Sequence, residues 1–260
     1  MPAAATRPEN DLIDANFWLA SGGLVGTSET GEVLEAHDLC ITNTGAPVAD
    51  FNLVFPKRPD SELEETLARA AGYFEEKRLP YRVCVRADLA DACRGLLLPR
   101  GFAEIKPVPG MVLSPIPEAP VPPDGLDVRP VADADALADF QRTAFEGFGL
   151  PMAAAPRFLT RRFLELPHVE LFVGYAQGEA ASTAALFASA GVAGIYWVAT
   201  LERFRGRGFG EALTWRAVRA GRELGYPLAS LQASALGRPV YARMGFAHDR
   251  DYAQFDSPKT

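Results

Sequence analysis

Ile195-Tyr196-Trp197-Val198-Ala199-Thr200, followed shortly by Arg205-Gly206-Arg207-Gly208-Phe209-Gly210, decides how this chain is read. The first stretch is apolar and rich in β-forming residues, so it predicts a strand. After the second, Leu213, Ala217, Ala220 and Leu224 recur at helical spacing. A strand therefore feeds a glycine-rich turn that opens a helix. Glycine lets the backbone take unusual dihedrals and approach a ligand closely. The first N–H groups of a helix have no internal partner, and its dipole is positive there. Such a turn is an anion site, and a diphosphate is its natural guest. Arg205 and Arg207 add guanidinium charge suited to phosphate oxygens.

The surrounding chain limits the choice of anion. It has 260 residues, 48% of them hydrophobic, and a net charge of −7. An acidic protein with one local basic spot suits a small anionic ligand, not nucleic acid or an anionic membrane. Cys40, Cys84 and Cys93 are odd in number and form no CxxC pair, and His37, His168 and His248 are scattered. No disulfide framework and no metal site is expected, which fits a reducing cytoplasm. The N-terminus has no apolar signal segment. The apolar run 184–199 is broken by Ser189, Gly191 and Gly194 and reads as two strands around a turn.

Outward from the glycine turn, the order of elements is α/β. The first half predicts a helix over 10–20 ended by Gly22-Gly23, a strand over 32–44 and a strand over 48–55. Then come a capping box at Ser61-Glu62-Leu63-Glu64, a helix to about 77, a strand over 81–85 and a helix over 88–98. A hairpin is expected at 107–110. Five prolines between Ser114 and Gly125 read as a semi-rigid linker. The second half predicts a strand at 126–131 and helices at 133–145 and 155–166, joined by a loop carrying Glu146, Phe148 and Met152. Strands at 169–175 and 180–188, the glycine-loop unit, a strand at 228–233 and a helix at 236–244 follow.

The ends of the halves overlay. Pro80 to Val85 matches Pro227 to Gln232, and Leu97-Leu98-Pro99-Arg100-Gly101-Phe102 matches Tyr241-Ala242-Arg243-Met244-Gly245-Phe246. This predicts two copies of one unit. The first copy has Pro56-Lys57-Arg58-Pro59-Asp60 in place of the glycines and Leu97 in place of Tyr241.

Strand, Arg-Gly-x-Gly-x-Gly, helix, strand and a helix ending in Tyr-x-x-x-Gly-Phe resembles the GNAT family of acetyl-CoA-dependent N-acetyltransferases, over about 126–260. The resemblance implies two tandem GNAT-like acyl-CoA N-acyltransferase domains of mixed α/β sheets. The first would be a degenerate unit at 1–113, then a linker at 114–125 and a catalytic unit at 126–260. It implies that the pantetheine arm pairs with Val198, Ala199 and Thr200. The diphosphate would rest on Gly206, Arg207, Gly208, Phe209, Gly210 and Glu211, with Arg205 beside it. Ser234 stands where relatives carry a pantetheine-contacting asparagine. Tyr241 would protonate the departing thiolate. No cysteine lies in the second half, so direct attack by the amine is expected without a covalent enzyme intermediate. The general base stays open between Glu146, Glu170 and a water chain. Glu146, Phe148 and Trp197 are candidates for the acceptor pocket. The acceptor is a small-molecule or peptide amine, and a monomer is expected over a homodimer. The alternatives are a protein amine acetyltransferase and a non-catalytic CoA-binding regulatory protein.

Overall fold

The computed structural model describes residues 8–58 and 62–258. The first half contains α1 (Pro8–Gly26), β1 (Glu32–Glu35), β2 (Leu39–Asn43), β3 (Asn52–Pro56), α2 (Leu63–Lys77), β4 (Arg82–Arg86), α3 (Ala87–Leu97) and β5 (Ala103–Leu113). The second contains β6 (Asp127–Pro130), α4 (Ala134–Phe148), α5 (Ala155–Phe158), α6 (Arg161–Leu164), β7 (Val169–Ala176), β8 (Glu179–Ser189), β9 (Val192–Thr200), α7 (Phe209–Glu223), β10 (Leu228–Gln232), α8 (Arg238–Arg243) and β11 (Ala247–Asp256). Among the described residues the strands form one mixed sheet of eleven, ordered β1-β2-β3-β4-β11-β5-β10-β9-β8-β7-β6.

The order shows a crossing at the centre. β11, the last strand of the second half, is antiparallel to β4 and β5. β5, the last strand of the first half, is antiparallel to β10. Each half thus completes the other's sheet. The packing follows: Phe255 of β11 is buried in the first-half core with Phe74 and Val83. Met111 and Leu113 of β5 are buried in the second-half core with Leu213, Val218 and Leu231. A buried side chain of this size contributes roughly 1.5–3 kcal/mol, so both cores depend on a borrowed strand.

The internal repeat is visible in backbone hydrogen bonds. Phe102 N donates to Leu97 O at 3.2 Å, and Phe246 N donates to Tyr241 O at 3.0 Å. Gly101 and Gly245 follow their helices with φ of 84° and 96°. Leu79 N donates to Phe74 O after α2, and Tyr226 N to Gly221 O after α7. Both of these helices have 15 residues.

Several local expectations are corrected. The hairpin at 107–110 is absent, because β5 runs through both Pro107 and Pro109. The register shift between Tyr252 and Gln254 falls opposite Pro107, which lacks an N–H donor, while Pro109 stays in register with Asp251. Gly22-Gly23 does not end α1. A Cβ on Gly23 would lie 2.8 Å from the Phe187 ring, so this glycine seats the helix against β8. The single strand over 32–44 is two strands joined by a turn. The strand over 48–55 is a 3-10 turn leading into β3. The helix over 155–166 is broken into α5 and α6. Of the proposed capping box, Ser61 lies outside the described residues, and Glu62 occupies the N-cap of α2 without a side-chain bond. The proline run has no helix or strand, but it is strapped to the core through Ile116 and Ala119.

Candidate active site

α7 is a helix because its apolar residues fall on one side. Leu213, Ala217, Val218 and Ala220 are buried, and Gly221 comes so close to β9 that a Cβ would lie 2.4 Å from that of Ala193. This contact fixes the helix across the strand, so its N-terminus stands over the end of β9. A Cβ on Gly210 would lie 3.1 Å from the Thr200 hydroxyl. Gly206 and Gly208 have φ of 76° and 78°, left-handed values that non-glycine residues adopt at a cost. A Cβ on Gly206 would meet no heavy atom within 4 Å, so the loop leaves room above its backbone. Phe209 and Phe204 are buried beneath it with Leu201.

The arginines divide into two kinds. Arg203 donates to Glu146 and Glu179. Arg205 and Arg207 have no carboxylate partner among the described residues. The Nε of Arg205 donates to the carbonyl of Thr200 at 3.1 Å, and Arg207 lies over the Phe204 ring. Two guanidinium groups are therefore exposed at a helix N-terminus without acidic neutralisation. The backbone and charges fit a diphosphate.

β9 carries the second feature. Its pairing with β8 slips between Thr183 and Ala185, where Trp197 and Val198 together face one residue. This is a β-bulge, and Trp197 has φ of 52°, a strained value for an aromatic residue. The Thr183 hydroxyl holds the Trp197 carbonyl at 2.8 Å, and the Ser182 hydroxyl holds that of Ala199 at 2.7 Å. On its other side β9 pairs with β10 only from Val192 to Gly194, and the two strands then part. Residues 195–200 thus border a wedge beside the helix N-terminus. Val198 packs toward the core that contains Tyr241, and Ala199 lies against Gly147 of α4.

Tyr241 is buried on α8, against Phe246, with ring centroids 5.9 Å apart. Burial pushes its phenol up to about 12, opposed by a hydrogen bond with Thr214. It is therefore a protonated, neutral phenol across ordinary pH. Ser234 is exposed, and its oxygen accepts from Gly237 N at 3.1 Å to brace the start of α8.

The acceptor candidates are only partly together. Glu146 and Phe148 belong to α4 and not to a loop, a correction to the expectation. Glu146 is exposed and ion-paired with Arg203. Phe148 is 47% exposed and meets the Trp197 ring edge-on, while Phe145 stacks on it. Glu170 lies on β7 opposite Leu186, next to Leu171, which packs on the α4 side; strand alternation turns Glu170 to the α7 side, away from Trp197. The sequence predicts a helix over 10–20 but gives it no place in the site, and α1 reaches β9. Its buried Asn16 accepts from the Tyr196 hydroxyl at 2.7 Å and donates to the carbonyl of Phe187 at 3.0 Å. A polar residue on the buried side of an apolar helix was the available signal.

In the first half β3 pairs with β4 only at Leu53 and Val54, and it ends at Pro56. Lys57 reaches Glu35 and the Ala36 carbonyl where the second half has its loop. Phe17 of α1 packs against Phe55 and Tyr252, next to Cys84.

The second half is thus a mixed α/β sheet with a bulged, parted central strand and a glycine turn that opens the next helix. Residues 135–246 match the model of the acetyltransferase (GNAT) family. A GCN5-related N-acetyltransferase from Kribbella flavida superposes with a TM-score of 0.71 at 19% identity, over 95% of this chain and 96% of that one. A second, from Sphaerobacter thermophilus, has a TM-score of 0.64 at 19% identity, over 85% of this chain and 76% of that one. A tandem GNAT protein from the clavulanic acid biosynthesis pathway aligns over 99% of this chain and 97% of its own length, with a TM-score of 0.59 and 12% identity. No curated protein matches the sequence. Among the described residues, no helix is long and apolar enough to cross a membrane.

Proposed function

We propose that the second half transfers an acetyl group from acetyl-CoA to a primary amine by direct attack, and that the first half serves as a cofactor-free partner. The observation that carries this reading is the parting of β9 from β10 beside a glycine loop with two unneutralised arginines. Gly206, Arg207, Gly208, Phe209, Gly210 and Glu211 would hold the diphosphate through their backbone, with Arg205 alongside. Val198, Ala199 and Thr200 would line the pantetheine arm, with Ser234 near it. When bound, acetyl-CoA supplies a thioester carbonyl. The backbone N–H at Val198 would stabilise the developing oxyanion. Tyr241 holds the proton that the departing thiolate needs. Its raised pKa makes it a weaker acid than a free phenol, but the same desolvation raises the thiolate's proton affinity. Glu146 is tied to Arg203, which leaves water as the better candidate for taking the amine's proton.

The test is thiol release on mixing acetyl-CoA with a panel of amines. Turnover with at least one amine supports the reading. Tight acetyl-CoA binding without release from any amine would favour a regulatory CoA-binding protein instead.

A further inference from the structure

On the α1 side of β9 lies a cavity of about 110 Å³. Its walls are Phe17, Ser21 and Leu24 of α1, Phe187 of β8, and Tyr196 and Trp197 of β9, with Phe163 closing it from α6. Successive residues of a regular strand point to opposite faces. The bulge breaks that alternation, so Tyr196 and Trp197 both line the same cavity. The strain at Trp197 therefore has a consequence for binding: it turns an indole into the wall of a pocket one residue from Val198. The α1 residues come from a helix outside the stretch that matches the acetyltransferase family. Phe17, Ser21 and Leu24 recur at helical spacing along one side of α1, and Gly23 holds that helix against Phe187.

We infer that this cavity is the acceptor pocket, and that it takes a monoamine whose amine is attached by a short tether to one branched alkyl group or one aromatic ring. The inference rests on the acetyltransferase reading of the adjacent wedge. Size and chemistry select the class. An apolar cavity of roughly 150 Å³ accepts benzene, so this smaller space of about 110 Å³ is limited to a branched alkyl group or at most one ring. The six wall residues named carry no charge, and the Tyr196 hydroxyl is already engaged by Asn16. Phe163 and Phe187 are stacked, with centroids 6.3 Å apart, and offer flat apolar surface. A second ammonium, as in a polyamine or aminoglycoside, would be dehydrated there with no carboxylate in the lining to pair it. The N-terminal half thus supplies specificity although it has no glycine loop of its own.

The experiment compares kcat/KM for phenethylamine, isoamylamine, ethylamine, spermidine and 1-naphthylmethylamine in the intact protein and in two variants. Ser21→Phe fills the cavity, and Leu24→Ala enlarges it. Wild type is expected to favour phenethylamine over ethylamine by roughly 30-fold, the discrimination apolar pockets achieve for a few carbons. Ser21→Phe should abolish that preference, and Leu24→Ala should raise the relative rate with 1-naphthylmethylamine. Turnover that favours spermidine, or a preference unchanged in both variants, overturns the pocket while leaving acetyl transfer standing. If no amine is acetylated, the transfer reading fails, and phenethylamine titrated into the CoA-saturated protein decides the pocket by itself. Saturable binding lost in Ser21→Phe supports the pocket, and absence of binding overturns it.

Discussion

Tyr241 sits where its environment decides its chemistry. Burial pushes the phenol up to about 12, so it stays protonated where a free phenol of pKa ~10 would not. A proton donor works below its pKa and fails as pH rises through it. The rate attributable to Tyr241 should therefore show no falling limb near pH ~10, which steady-state kcat profiles would reveal. Tyr241→Phe should lower kcat by ~10²-fold with acetyl-CoA affinity nearly unchanged, since the ring's packing survives and only the proton is lost. Equal turnover by both proteins would remove the role. Asp14 poses the opposite problem. Its carboxylate is fully buried on α1, where it accepts from Tyr252 at 2.6 Å and from Arg250 at 2.9 Å, with Arg86 at 3.3 Å. Desolvation raises its pKa above the usual carboxylate value despite these partners. A raised carboxylate pKa favours the folded state most fully below the unfolded value, and that gain is lost as pH rises through the folded one. Wild type should therefore gain stability relative to Asp14→Asn as pH falls from ~7 toward ~4. Asp14→Ala removes the buried carboxylate shared by Tyr252, Arg250 and Arg86, while Arg86 keeps Asp88 and Arg250 keeps Asp249; it should cost roughly 1–3 kcal/mol in urea unfolding.

At the scale of single elements, the glycine loop and its helix were fully legible, because glycine spacing and apolar periodicity are local signals. Gly206 and Gly208 adopt the positive φ that their identity implied. Gly208→Ala should weaken acetyl-CoA binding about tenfold in calorimetric titration, since left-handed backbone costs an L-residue roughly 1–2 kcal/mol. The α8 end, with Tyr241 and Gly245, was equally clear. What misled the reading were residues whose local meaning is overridden by packing. Pro107 and Pro109 suggest a turn, yet β5 is held between two antiparallel strands that impose extension. Gly22-Gly23 suggests a stop, yet Gly23 is needed where α1 meets Phe187. The bulge at Trp197 has no signature in a run of β-forming residues. It arises from how β9 pairs with β8 and then leaves β10, and single-strand composition does not encode that. The wall that α1 gives the cavity depends on contacts between residues well over a hundred positions apart in sequence.

For the molecule as a whole, two copies of one unit have become interdependent through the crossing of β5 and β11. Residues 126–260 contain the glycine loop and Tyr241, but that half borrows β5 beside β10, and its own β11 completes the first half. Expressed alone, 126–260 should be unfolded or aggregated by circular dichroism and light scattering, with an unpaired β10 edge exposed. Co-expression with residues 1–125 should restore a folded complex. The repeat itself was readable from matched helix ends, whereas the crossing was not, since either strand order satisfies the same hydrophobic pattern. The copies differ where β3 and β9 correspond: β3 stops at Pro56 with Phe55 packed against Phe17, whereas β9 runs on to Thr200 beyond its parting from β10. On the proposed reading this chain carries one acyl-CoA site, in the second half. Isothermal titration of acetyl-CoA into the intact protein, beside a variant with Gly206→Val and Gly208→Val, tests it most directly. One molecule bound per chain, lost in the variant, is the predicted result. Two per chain, none, or binding undiminished by the substitutions would contradict it.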